Sequence, residues 1–158
     1  MVSQTTGKNA SDSQVKLAVL MGPQHANHYG NVHGGWIMKL MDEAGALACM
    51  RHANSRVVTV AADQMFFHQP IRLGDLVTIS AEVSFVGRTS MEAEVGVIAE
   101  NPVAGKCVHT NTAFFVYVAL GEYDDPIAVP ALTPENDAHR ERMLAGHARR
   151  EHRLSHNK

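Results

Sequence analysis

The chain has 158 residues, of which 45% are hydrophobic and 19% charged, and its formal net charge is −2. This length fits one domain with a hydrophobic core, and the composition is that of a globular protein without a bias toward disorder. The near-neutral charge gives no reason to expect nucleic acid or a membrane surface as a partner.

The N-terminal stretch is polar and lacks the apolar core of a signal peptide, so residues 1–12 are expected to form a disordered segment. No apolar run approaches the ~20 residues of a membrane span, and a cytoplasmic protein is therefore predicted. Cys49 and Cys107 both lie in apolar segments, which predicts buried free thiols. No metal-binding spacing and no dinucleotide-binding glycine motif is present, so no metal and no cofactor is predicted.

The first predicted elements are a strand over residues 15–21, a polar loop over 24–33 and a helix over 35–52. Four strand candidates follow, and their alternation of apolar and polar residues indicates sheets with one buried face. Glycine- and proline-containing turns separate them. The four candidate strands cover residues 56–68, 76–85, 91–100 and 107–120.

One helix followed by antiparallel strands predicts an α+β domain over residues 13–124, in which a curved antiparallel sheet wraps around one long central helix. Residues 125–158 are predicted to form a connector and a C-terminal helix. Thr133 is the predicted N-cap of that helix and Pro134 its first residue. The basic end of the helix is interpreted as a solvated surface rather than a nucleic-acid site.

Asp42 is a carboxylate within the first predicted helix, nearly opposite its apolar face. The residues around it on that side are small and apolar, where a water-facing side would be polar. Two interpretations remain open: a weakly amphipathic helix with Asp42 in solvent, or a second covered side with Asp42 in a cleft. The predicted apolar face consists of Trp36, Ile37, Leu40, Met41, Ala44, Leu47 and Ala48.

Gly34 and Gly35 lie at the start of the same helix, where backbone N–H groups lack partners and the helix dipole is positive. Such a site suits an oxyanion or a polarised carbonyl. Two turns, about 11 Å along the axis, separate these amides from Asp42, so one carbonyl oxygen cannot bond to both. Asn27 and His33 add polar groups upstream.

Residues 27–44 follow the pattern N-x-x-G-x-x-H-G-G-x-x-x-x-L-x-D-E-A. This pattern resembles that of the hotdog-fold acyl-CoA thioesterases, especially the cytosolic (brain-type) acyl-CoA hydrolase branch. The similarity continues to about residue 120. It implies a hotdog fold, acyl-CoA as substrate and CoA as product. It also implies a homodimer with paired sheet edges and active sites at the interface, often assembled further into a hexameric trimer of dimers.

The same resemblance assigns roles to individual residues. Asp42 matches the catalytic carboxylate, and Asn27 of one protomer is expected near Asp42 of the other. Gly34 and Gly35 match the donors that polarise the thioester carbonyl. The residues implied in substrate or CoA binding are His33, Arg56, Arg88, Thr89 and Ser90.

Asp42 can either activate a water molecule or attack the thioester directly, and the sequence leaves both mechanisms open. Two alternative functions remain. A hotdog-fold enoyl-CoA hydratase would carry a histidine five residues after the aspartate, where this chain has Leu47. A non-catalytic sensor of acyl-CoA or CoA would bind the same ligands without turnover.

Overall fold

The computed structural model of the protein describes residues 6–156, in which one long helix packs against the concave face of an antiparallel sheet. Helix α1 spans Gly34–Ala53 and helix α2 spans Asp137–His156. The predicted α+β architecture is therefore confirmed. The strands are β1 Lys8–Asn9, β2 Val15–Leu20, β3 Arg56–Ala62, β4 Leu76–Val86, β5 Ser90–Asn101, β6 Lys106–Leu120 and β7 Leu132–Thr133.

The five-stranded sheet has the order β2-β4-β5-β6-β3, so β2 and β3 form its edges. All of its neighbouring strands are antiparallel. Three register shifts interrupt the pairing, between Val83 and Phe85, between Thr59 and Ala61, and between Val97 and Ile98. Such bulges increase the local twist and bend a sheet, which allows this one to curve around α1.

The buried side of α1 is rotated relative to the predicted apolar face. Leu47, predicted to be in the core, is 41% exposed, whereas Gly45 and Cys49 are buried. The reason is that the curved sheet of the same chain reaches around the helix, and the Tyr117 side chain comes into contact with Gly45. The small residues on the side of α1 opposite the predicted apolar face are thus partly covered by the sheet of the same chain. Asp42 lies half-buried where this covered surface meets the exposed surface of the helix.

The N-terminal segment is not wholly disordered, contrary to the prediction for residues 1–12. Residues 1–5 lie outside the described part of the chain, but β1 pairs in parallel with β7. The Ser11 backbone N and Oγ both donate to the Glu135 carboxylate, at 2.9 and 2.7 Å. The polar residues of this segment are ordered because the connector before α2 supplies their hydrogen-bond partners.

The start of α2 also differs from the prediction. Thr133 belongs to β7, and the helix begins at Asp137. Asn136 is the capping residue, since its Oδ1 accepts a hydrogen bond of 2.9 Å from the His139 backbone N. Pairing with β1 keeps Thr133 extended, and this long-range contact overrides the local N-cap signal. Residues 157–158 of the predicted helix lie outside the described range.

Two further predictions are wrong in detail. The strand predicted over residues 56–68 ends at Ala62, because its pairing with β6 stops there and the Asp63 backbone N makes the last contact, to Phe114 O at 2.9 Å. Cys107 is exposed at the start of β6, whereas Cys49 is buried as predicted. The apolar residues around Cys107 belong to the end of a strand that extends beyond the core.

Helix α2 packs on the convex face of the sheet through a buried ion cluster. Glu92 is 1% exposed, and its carboxylate accepts hydrogen bonds from Arg149 Nη2 at 2.7 Å and Arg153 Nη2 at 3.1 Å. Ser84 Oγ donates a third at 2.8 Å. A buried carboxylate is tolerated only with such partners, so this cluster fixes the position of α2 on the sheet.

His52 is expected to make the stability of the fold depend on pH. This residue is buried near the end of α1, with Nε2 2.8 Å from Pro130 O. Burial, with a further contribution from the charge of Lys8, lowers the pKa of His52 below its usual range, although the Pro130 carbonyl opposes this shift. As pH falls below ~6.5, the unfolded chain therefore takes up this proton before the folded chain does.

We expect the free energy of unfolding to decrease as the pH is lowered through this region, because the folded state resists protonation of His52. Urea denaturation at a series of pH values measures the slope. His52→Gln is expected to flatten it, whereas His28→Gln, at an exposed loop position, should leave the slope as in the parent. Equal slopes for the parent and the His52 variant would contradict the assignment.

Candidate active site

Two side chains from the sheet hold Asp42 at the edge of the buried surface of α1. Its Oδ1 accepts a hydrogen bond from Thr59 Oγ1 at 2.7 Å and lies 3.0 Å from the Tyr117 hydroxyl. The same hydroxyl lies 2.9 Å from the Asp42 backbone O. Among residues 6–156, no group donates a hydrogen bond to Oδ2. One carboxylate oxygen is thus anchored, and the other is available to a water molecule or a substrate atom.

Thr59 and Tyr117 were not predicted as site residues. They lie directly opposite each other in the pairing of β3 with β6, and 17 and 75 residues of chain separate them from Asp42. No local periodicity links such distant positions. The sequence signal that could have identified Tyr117 is its polar hydroxyl between apolar neighbours of a predicted strand, in the stretch "AFFVYVAL".

The start of α1 presents fewer free amides than predicted. His33 is the N-cap, and its Nδ1 accepts a hydrogen bond of 2.9 Å from the Gly35 backbone N. The Trp36 N donates to His33 O at 3.0 Å. In the described part of the chain the Gly34 N–H has no such partner. His33 therefore acts as a capping residue here, and Gly34 is the available donor of the predicted pair.

An apolar cavity of about 360 Å³ lies beside Gly34. The Phe67 ring forms one of its walls, 3.7 Å from the place a Cβ on Gly34 would occupy. An apolar recess next to an unpaired backbone N–H suits the carbonyl end of an acyl group. Its lining residues are Val32, Gly34, Ile37, Phe67, Gln69, Pro70 and Ile71.

Asn27 shapes the loop before α1 and makes no hydrogen bond to Asp42 within the described residues. Its Oδ1 accepts hydrogen bonds from the Tyr29 and Asn31 backbone N atoms, at 2.9 and 3.1 Å. This fixes the side-chain oxygen toward its own loop. The protomer alone therefore does not bring Asn27 and Asp42 together.

Arg56 and the hairpin Arg88–Ser90 lie at the same end of the sheet, on either side of the last residues of β6. Arg56 Nη2 donates to Gly121 O at 2.7 Å and forms an ion pair with Asp124 at 2.9 Å. The hairpin is fixed by its backbone, since Thr89 O accepts from Ala119 N at 3.0 Å. The structure thus groups these predicted binding residues, although Arg56 already has partners.

A larger cavity of about 630 Å³ is open on the convex face of the sheet. Lys16, Glu82, Glu94 and His109 are among the residues that line it. It lies across the sheet from α1, so it has no access to Asp42 and is not part of this site.

No helix of the described residues is long and apolar enough to cross a membrane.

Residues 29–106 match the model of the family described as the thioesterase superfamily. A rat protein named cytosolic acyl coenzyme A thioester hydrolase is 40% identical over 141 residues, which cover 88% of this chain. The chain spans only 37% of the length of this relative and of its mouse and human counterparts.

Solved structures give a matching result. An acyl-CoA hydrolase from Staphylococcus aureus, determined with butyryl coenzyme A, coenzyme A and coenzyme A disulfide, is 31% identical with a TM-score of 0.87. The match covers 95% of this chain and 92% of that one. An apo-hexameric acyl-CoA thioesterase is 32% identical with a TM-score of 0.91, covering 96% and 97%. The S. aureus hydrolase was also solved with an aspartate, an asparagine or a threonine changed to alanine.

Proposed function

This chain belongs to the thioesterase superfamily and has its hotdog fold, and from this premise we propose that it hydrolyses fatty acyl-CoA to a free fatty acid and CoA. The observation that carries the proposal is the geometry of Asp42, with Oδ1 anchored by Thr59 and Oδ2 without a partner in the described residues. A carboxylate so fixed can act on a water molecule or on the thioester carbon itself.

Thioester hydrolysis needs a nucleophile and a place for the charge that develops on the carbonyl oxygen. Asp42 supplies the first, either as general base toward water or by direct attack. The Gly34 N–H supplies the second, at the positive end of the α1 dipole. The thiolate of CoA leaves readily, so the site requires no strong general acid.

We also propose that a complete site requires two protomers. Gly34 and Asp42 are eight residues apart on one helix, about 12 Å along its axis, which is too far for one carbonyl group to contact both. The edge strand β3 has Val58 and Val60 43% and 54% exposed, and Thr59 beside Asp42 is exposed too. A second protomer paired along β3 would cover these residues and bring its own Asn27 and Gly34 toward Asp42.

The CoA portion is proposed to lie near Arg56 and the hairpin Arg88–Ser90. Both border the end of β6, and Arg88 is exposed. A guanidinium in this position suits a phosphate of the CoA nucleotide. The hexameric relative supports assembly of dimers into a hexamer, and the name of the rat relative supports a cytosolic location.

Release of free thiol from acyl-CoA substrates of increasing chain length tests the proposed activity. The expected result is turnover that exceeds the uncatalysed rate by many orders of magnitude for at least one chain length. Crotonyl-CoA is the comparison substrate, monitored by loss of the enoyl absorbance. Loss of that absorbance without thiol release would indicate a hydratase, and tight CoA binding without any turnover would indicate a sensor.

A further inference from the structure

Tyr117 places a polar group in the deepest part of the contact between the sheet and α1. Its side chain is fully buried, and its ring stacks on Phe115 at a centroid distance of 6.5 Å. Its hydroxyl lies 2.9 Å from Asp42 O and 3.0 Å from Asp42 Oδ1. A hydroxyl has one proton to donate, so this proton is shared between the helix backbone and the carboxylate.

Gly45 makes this approach possible. A Cβ at position 45 would lie 2.4 Å from the Tyr117 hydroxyl oxygen and 3.1 Å from two of its ring carbons, closer than such atoms pack. Glycine is less favourable than alanine within a helix. The glycine at position 45 therefore weakens the helix locally, and it leaves room for the Tyr117 hydroxyl to reach the backbone oxygen of Asp42.

The hydroxyl remains a donor under all ordinary conditions. Burial, and after it the negative charge of Asp42 and its hydrogen bond, raises the pKa of Tyr117 well above its usual range. The buried thiol of Cys49 is the other titratable group that contributes. Burial also raises the pKa of the Cys49 thiol, so neither this thiol nor the Asp42 carboxylate favours ionisation of the phenol.

We propose that Tyr117 is a positioning residue for Asp42, and that the absence of a side chain at Gly45 leaves the space that the Tyr117 hydroxyl occupies. Together with Thr59, the Tyr117 hydroxyl holds Oδ1 against the protein, so that Oδ2 faces the reacting atoms. Tyr117 itself does not touch substrate. The kinetic consequence rests on the proposed thioesterase function, whereas the effect on the Asp42 carboxyl does not require it.

Tyr117→Phe tests the proposal, with Tyr123→Phe as the matched control because Tyr123 is 87% exposed and lies beyond the end of β6. We expect kcat for acyl-CoA hydrolysis to fall by about tenfold and KM to change by less than about twofold. A fall in kcat with KM preserved distinguishes lost positioning of the reacting group from lost substrate binding. The control should match the parent in both measurements.

The orientation of the Asp42 carboxylate in crystal structures of the parent and of Tyr117→Phe provides a readout independent of turnover. In the variant, the carboxylate should leave the orientation in which its Oδ1 lies 2.7 Å from Thr59 Oγ1. Gly45→Ala should reproduce both effects by displacing the hydroxyl, and the double variant should add nothing further, since both changes remove one contact.

The outcomes separate the two proposals. If the parent hydrolyses acyl-CoA but Tyr117→Phe leaves kcat and the orientation of the Asp42 carboxylate unchanged, the positioning role is wrong and the function stands. If the parent releases no thiol but the carboxylate changes its orientation in Tyr117→Phe, Tyr117 does position Asp42 and the proposed function is wrong.

Discussion

Replacing Asp42 with asparagine is expected to lower kcat for acyl-CoA hydrolysis by about 10³-fold without unfolding the protein. Asparagine keeps an oxygen that can accept the hydrogen bonds of Thr59 and Tyr117, so the contact between α1 and the sheet survives. It removes the negative charge and with it both the base and the nucleophile. The substitution therefore separates the chemistry of Asp42 from its contribution to packing.

The measurements are thiol release at saturating acyl-CoA, CoA binding by calorimetry and the oligomeric state by light scattering. Only the first should change. Glu43→Gln is the matched control, because Glu43 is the adjacent carboxylate on the same helix but forms a surface ion pair with Lys39. Full turnover by the Asp42 variant, or an equal loss in the Glu43 variant, would remove Asp42 from the mechanism.

The elements with strong local patterns were predicted well. The α1 helix begins and ends within one residue of its prediction, and β4, β5 and β6 lie within one residue of theirs. These segments carry their own signals, namely clear alternation, apolar runs and glycine- or proline-containing turns. Asp42 and Gly34 could be proposed as site residues from the sequence because they lie on one of these elements.

Most of the failures share a physical cause, which is that the deciding partner lies far away in sequence. Ser11 is ordered by Glu135, and Thr133 is extended by β1. Phe66 and Phe67 have the composition of a strand but are 59% and 46% exposed, because β6 provides no partner beyond Phe114. Thr59 and Tyr117 were missed for the same reason, since only the folding of the sheet around α1 brings them to Asp42.

Asn27→Ala is expected to reduce kcat by about 10²-fold, the usual consequence of losing one polar group that positions the reacting atoms. The loop should keep its shape in part, since the Gly30 N to Asn27 O hydrogen bond of 3.1 Å is made by the backbone. Asn31→Ala is the control, because it changes the same residue type in the same loop. Unaltered kinetics in the Asn27 variant would show that its side chain has no role in turnover.

The two inactive variants together test whether the site is shared between protomers. In a mixed dimer of Asp42→Asn and Asn27→Ala, one of the two shared sites contains an intact Asn27 from the first protomer and an intact Asp42 from the second. Random reassembly of equal amounts places half of the dimers in this mixed form. Activity is therefore expected to recover to about a quarter of the parent value.

The control mixture combines Asp42→Asn with the double variant Asn27→Ala/Asp42→Asn, in which neither pairing restores a complete site, and it should stay inactive. Native mass spectrometry establishes that mixed dimers have formed. Recovery in the first mixture alone requires Asn27 and Asp42 to act across an interface, in agreement with the absence of a hydrogen bond between them in the described residues of one protomer. Mixed dimers without recovery would place the whole site within one chain and exclude the shared arrangement.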